Sequence, residues 1–224
     1  MEKLYEQCML LDEQRSVLLK GISEGKREFA DLVKYIPDTA TKTYPPRLLY
    51  DLINTKIEDI IKANPHMNLN VVRRKAGFHP YIVIHDEVRN VFILVSKLPK
   101  SKHIYNTSRY RGDYAASNFD RLFAMGATEE EIACDVSYQQ SIPLGQEYLP
   151  FGIIVSYDSE SDIVFEGALR PDQGDWIYKK DITHAIIKDT SNIIPLNAYN
   201  HSKITLPLKT PKDNDDIIIK LKDK

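Results

Sequence analysis

Between residues 88 and 112 the chain carries Arg89, Lys97, Lys100, Lys102, Arg109 and Arg111 and no acidic residue. Such cations neutralise phosphates or carboxylates. The rings of His103, Tyr105 and Tyr110, interleaved with them, are of the kind that stacks on exposed bases in grooves for single-stranded nucleic acid. Residues 97–111 are therefore the expected binding segment, with Lys97, Lys100, Lys102, His103, Tyr105, Arg109, Tyr110 and Arg111 as its contacts. The expected partner is a nucleic acid or an acidic protein surface. The same run also reads as a solvated crossover whose charges keep a sheet edge from pairing with other chains.

Catalytic chemistry finds fewer anchors. The order α, β, β, β, α, β over residues 48–157 is similar to that of the restriction-endonuclease-like nuclease core. In that core an acid on one strand and an acid-x-Lys on the next hold a divalent cation and activate water. Asp86 and Lys97 stand at suitable places, but Val95 occupies the position of the second acid. Asp162 and Glu166 offer replacement carboxylates, although Ala168 follows where a lysine would be needed. His79, His85 and Asp86 lack a matched third metal ligand. No GxSxG elbow, phosphate-loop glycine pattern or dinucleotide fingerprint is present, so no cofactor is expected. The reading is a binding protein without catalysis, with a metal-dependent nuclease, or a degenerate relative of one, as the alternative.

The elements that must position these residues are read from periodicity. Leu4, Cys8, Leu11, Leu18 and Ile22 suggest one amphipathic helix or two short ones. Ser23 is a candidate cap for a further helix carrying Phe29, Leu32, Val33 and Ile36 and stopped by Pro37. A helix-turn-helix meeting near Gly21 and Gly25 is an alternative, but acidic residues share the second helix with the basic ones. After Pro45 and Pro46, the stripe Leu49, Leu52, Ile53, Ile57, Ile60 and Ile61 predicts a core helix ending at Asn64 and Pro65.

Strands are expected at 68–74, 81–84 and 91–95, the last two forming a hairpin. A helix bearing Tyr114, Ala115, Phe119, Leu122 and Phe123 and closed by Gly126 follows, then a capping box from Thr128 to Glu131 and a long loop at 135–150. A second hairpin spans 151–157 and 162–169, and 176–178 is a short strand. Residues 182–187 fit either a helix or a strand, and 217–221 a peripheral strand. The expected fold is thus α+β, with helices packed on a mixed, mainly antiparallel sheet. Residues 1–188 form one domain with an N-terminal helical part at 1–37, and 189–224 a linker and peripheral segment.

Composition sets the outer bounds. The 224 residues are 42% hydrophobic and 28% charged, with a net charge of −2, so a polyanion must be met by a local patch and not by bulk charge. Cys8 and Cys134 are the two cysteines, no run approaches membrane-spanning length, and the first 30 residues lack a signal-peptide core. The expectation is a cytosolic protein with free thiols. Abundant Ile, Lys, Asp and Asn match an AT-rich gene of bacterial or phage type.

Overall fold

The apolar runs of residues 91–95 and 151–155 lie side by side in the middle of a six-stranded sheet, buried on both faces, which is why they are continuous and not alternating. A computed structural model of the chain describes residues 4–36, 45–99, 105–128 and 149–185. All of them belong to one compact unit, Met1–Ile193. The described elements are a short 3-10 helix Leu4–Cys8, helices α1 (Asp12–Val33) and α2 (Pro45–Ala63), a 3-10 turn Pro65–Met67, and strands β1 (Leu69–Ala76), β2 (His79–Asp86) and β3 (Val91–Lys97). Helix α3 (Arg109–Ala124) and strands β4 (Phe151–Tyr157), β5 (Val164–Leu169) and β6 (Trp176–Asp181) complete them.

The strands run in sequence order across the sheet, antiparallel throughout except for the β3–β4 pair, which is parallel. The fold is α+β with a mixed, mainly antiparallel sheet. A parallel pair needs a crossover, and α3 supplies part of it. One face of the sheet, with Ile84, Ile93, Val95, Ile153 and Val155, packs under Leu18 and Ile22 of α1 and Ile53 and Ile57 of α2. On the other face Val83, Leu94 and Ile154 meet Tyr105, Trp176 and Ala115 of α3.

The N-terminal region departs from expectation. Helix α1 continues through Gly21 and Gly25, so residues 12–33 are one helix, Ser23 is no cap, and there is no turn for a helix-turn-helix. The glycines serve packing. A Cβ at Gly25 would sit 2.6 Å from the Ile53 Cα, and one at Gly21 would collide with the Ile57 side chain, so α2 reaches the α1 backbone because both lack side chains. Burial also shifts Leu52 from the expected core to a half-buried flank, while Ile53 and Ile57 are fully buried.

Two polar staples tie α1 to the sheet. Arg15 donates a forked pair of hydrogen bonds, 2.8 and 2.9 Å, to the Glu166 carboxylate on β5. Gln14 Nε2 donates to Asp86 Oδ2 at the end of β2, at 2.7 Å. The helix read at 114–123 begins earlier, at Arg109, so Arg109, Tyr110 and Arg111 form its first turn and not a loop; Gly126, at φ 97°, closes it as expected. Ile182 is buried just after β6 and is followed by a turn at Thr183 and His184. Glu131, most of the 135–150 loop, residues 186–187 and the strand expected at 217–221 lie outside the described residues.

Candidate functional site

Strand β2 pairs with β1 along its whole length, from Leu69↔Asp86 to Ala76↔His79. Its ladder with β3 is shorter, running only from Val83↔Leu94 to Asp86↔Val91. Pro80 has no N–H to give to such a ladder, and the last three residues of β3, Val95, Ser96 and Lys97, pair with β4 alone. The sheet therefore splits beside the C-terminal ends of its two parallel strands. That is the end at which open sheets with parallel strands most often bind ligands.

A cavity of about 440 Å³ occupies the split. Its walls come from five places in the sequence: Pro46, Arg47 and Tyr50 in the first turns of α2; Ala76, His79, Pro80 and Tyr81 from the β1–β2 hairpin; Leu94 to Lys97 from β3; Ile154 and Tyr157 from β4; and Tyr110 and Arg111 from the first turn of α3. Arg47, Lys97 and Arg111 make the lining cationic, and no aspartate or glutamate among the described residues belongs to it. Arg47 is partly offset by Asp51, which pairs with it at 3.0 Å.

The side chains are held by their own contacts. Arg47 also donates to the Pro80 carbonyl at 3.0 Å, fastening α2 to the hairpin, and lies 5.2 Å from the Tyr50 ring centre. The Arg111 guanidinium lies 4.8 Å from the Tyr105 ring centre and 4.9 Å from that of Tyr110. It donates to the Tyr110 hydroxyl and, at 2.6 Å, to the Asn106 carbonyl, while its Nε is buried without a partner among the described residues. Tyr110 in turn packs on Tyr81 at 5.2 Å between centres. Burial pushes the hydroxyls of Tyr50 and Tyr157 above the ordinary tyrosine value, so both stay neutral as hydrogen-bonding groups.

Of the residues expected to bind, Lys97, Tyr110 and Arg111 meet in this cavity, with Lys97 exposed at its rim. Arg109 is exposed one turn position away and does not line it. Lys100, Lys102 and His103 lie outside the described residues. Tyr105 is corrected: it is 7% exposed, donates to Ser156 Oγ at 2.7 Å and meets Trp176 edge-on at 6.0 Å, so its ring fills the core and offers no stacking face to a base.

Arg47, Tyr50, His79, Tyr81 and Tyr157 escaped a reading that looked for one contiguous basic segment. Their signal was faint: Arg47 and Tyr50 follow a helix start at Pro45 and Pro46, and His79 and Tyr81 flank a proline in a strand.

The residues considered for a nuclease are not brought together. Asp86 pairs with Val91 at one end of β3 and Lys97 ends the other, six residues on and so about 20 Å away at roughly 3.3 Å per residue. Asp86 is occupied, accepting from Gln14 at 2.7 Å, from the Arg89 side chain at 2.8 Å and from two backbone amides of the β2–β3 turn. Burial raises its pKa, and these donors outweigh burial and hold it below the usual carboxylate range. Glu166 is buried against Arg15, and the Asp162 side chain is fully exposed near Lys26.

His85 stacks on Phe92 at 4.3 Å and bonds to Asn90, at the far end of β2 from His79. Among the described residues no three His, Cys, Asp or Glu side chains cluster as a metal site, and no helix is long and apolar enough to cross a membrane. The chain matches no protein-family model, no curated protein and no solved structure.

Proposed function

We propose that this protein binds single-stranded nucleic acid without cleaving it, and that the cavity at the split between β2 and β3 is where it does so. The observation that carries the reading is the lining itself: Arg47, Lys97 and Arg111 with Tyr50, Tyr81 and Tyr110, and no carboxylate among the described lining residues. Cations of this kind take phosphates, and tyrosine rings take bases. An acidic protein surface would satisfy the cations but leave the rings without a matching flat partner.

The test is a salt titration of a labelled oligothymidylate with wild type, Lys97→Ala and Arg47→Ala. Each lost phosphate contact is expected to weaken binding and flatten the slope of log affinity against log salt by about 0.7. Absence of binding by wild type at low salt would sink the proposal. Binding to polyglutamate with the same salt slope as the oligonucleotide would move it to an acidic protein partner.

A further inference from the structure

The β1–β2 hairpin ends in a two-residue turn, Gly77 and Phe78, between the paired residues Ala76 and His79. Gly77 adopts φ 61°, a left-handed value that glycine takes without strain, and Phe78 has no positive φ; this is the pattern of a tight type II′ turn, whose twist suits a hairpin. Such a tip commonly carries small or polar residues. Here it carries a phenylalanine that is 100% exposed, on a turn with open space around it. The strands beneath it are basic: Arg74, Lys75 and His79 are exposed, and the chain has no acidic residue from Ile60 to His85. Ala76 and His79, which bracket the turn, also line the cavity. The tip is thus one residue removed from the cavity wall.

We propose that Phe78 is a second base-stacking position, so that the site takes at least two consecutive nucleotides of a single strand, one in the cavity and the next on the hairpin tip. This rests on the reading of the cavity as a nucleic-acid site. Arg74 and His79, which share one face of the hairpin, then follow the phosphate that joins the two nucleotides. A double helix does not fit this arrangement, because its bases are paired and stacked on each other and leave no face for Phe78.

The experiment compares thymidine 5′-monophosphate, the thymidylate dinucleotide and the tetranucleotide as ligands of the full chain, wild type and Phe78→Ala, at one low salt concentration. Because Phe78 makes no buried contact, the substitution is expected to leave the unfolding midpoint unchanged. Wild type should gain affinity from mononucleotide to dinucleotide, and Phe78→Ala should lose between about 5-fold and about 150-fold on the dinucleotide while keeping wild-type affinity for the mononucleotide.

Phe78→Trp should restore the gain and add a fluorescence that the dinucleotide quenches, legible against Trp176, which is 8% exposed. A gain that survives in Phe78→Ala would overturn the inference and leave the cavity reading standing. Failure of wild type to bind any of the three ligands would remove both. Binding of wild type but not Phe78→Ala to phosphatidylserine-containing vesicles, with no binding of nucleotides, would assign the tip to a membrane surface and overturn the inference as well.

Discussion

Tyr105 shows how one side chain can look like a ligand contact and act as a beam. Its ring carries the Arg111 guanidinium and meets Trp176 edge-on, and its hydroxyl reaches Ser156 on β4, so it fixes the first turn of α3 against the sheet. Truncation to alanine should cost about 3–5 kcal/mol in urea unfolding, the range for a buried aromatic residue, and any loss of ligand binding in that variant reports unfolding. Tyr105→Phe should cost only about 0.5–1.5 kcal/mol, one hydrogen bond. Burial pushes the Tyr105 hydroxyl up to about 12. An unfolded tyrosine ionises near pH 10, so the neutral hydroxyl's stabilisation is complete below about pH 10 and is lost as pH rises toward 12. The fall of stability over that window should be shallower in Tyr105→Phe, measured by urea unfolding at a series of alkaline pH values; an unchanged slope would show that Tyr105 ionises normally in the folded state.

At the scale of elements, helix α2 was legible because a stripe at three- and four-residue spacing can be produced by little else, and its Ile53 and Ile57 are indeed fully buried. The join between α1 and α2 was not legible. Glycine in a helix reads as a weak point when only the local chain is considered, and as a close-approach surface once the partner helix is known. Gly25→Ala tests which meaning holds here: intrinsic propensity predicts a gain of roughly 1 kcal/mol, whereas the contact with the Ile53 backbone predicts a loss of about 1–3 kcal/mol. Thermal unfolding should show the loss, and Ile53→Ala should cost about 2–5 kcal/mol in the same assay. The candidate site divides in the same way. Lys97, Tyr110 and Arg111 fell inside one basic run, but Arg47 and His79 reach the cavity from other elements, and only the register at which the β2–β3 ladder stops brings them to it.

Across the whole molecule, the sheet is two antiparallel meanders, β1–β2–β3 and β4–β5–β6, joined along one parallel seam. Helix α1 spans that seam, with Gln14 bound to Asp86 in the first meander and Arg15 to Glu166 in the second. The pattern of strands and helices forecast an α+β fold but not the seam, because apolar runs such as 91–95 and 151–155 carry no mark of which run they will lie beside. The seam has a kinetic consequence. Each meander closes through short turns, whereas β3 and β4 can register only after residues 98–150 have looped back, and longer loops cost more entropy to close. The two halves should gain structure early and zip together late. Stopped-flow measurements on Ile153→Val, a buried seam residue, are expected to show faster unfolding with a folding rate close to wild type. A matching drop in the folding rate would put the seam in the nucleus, and would mean that the chain commits to its longest loop first.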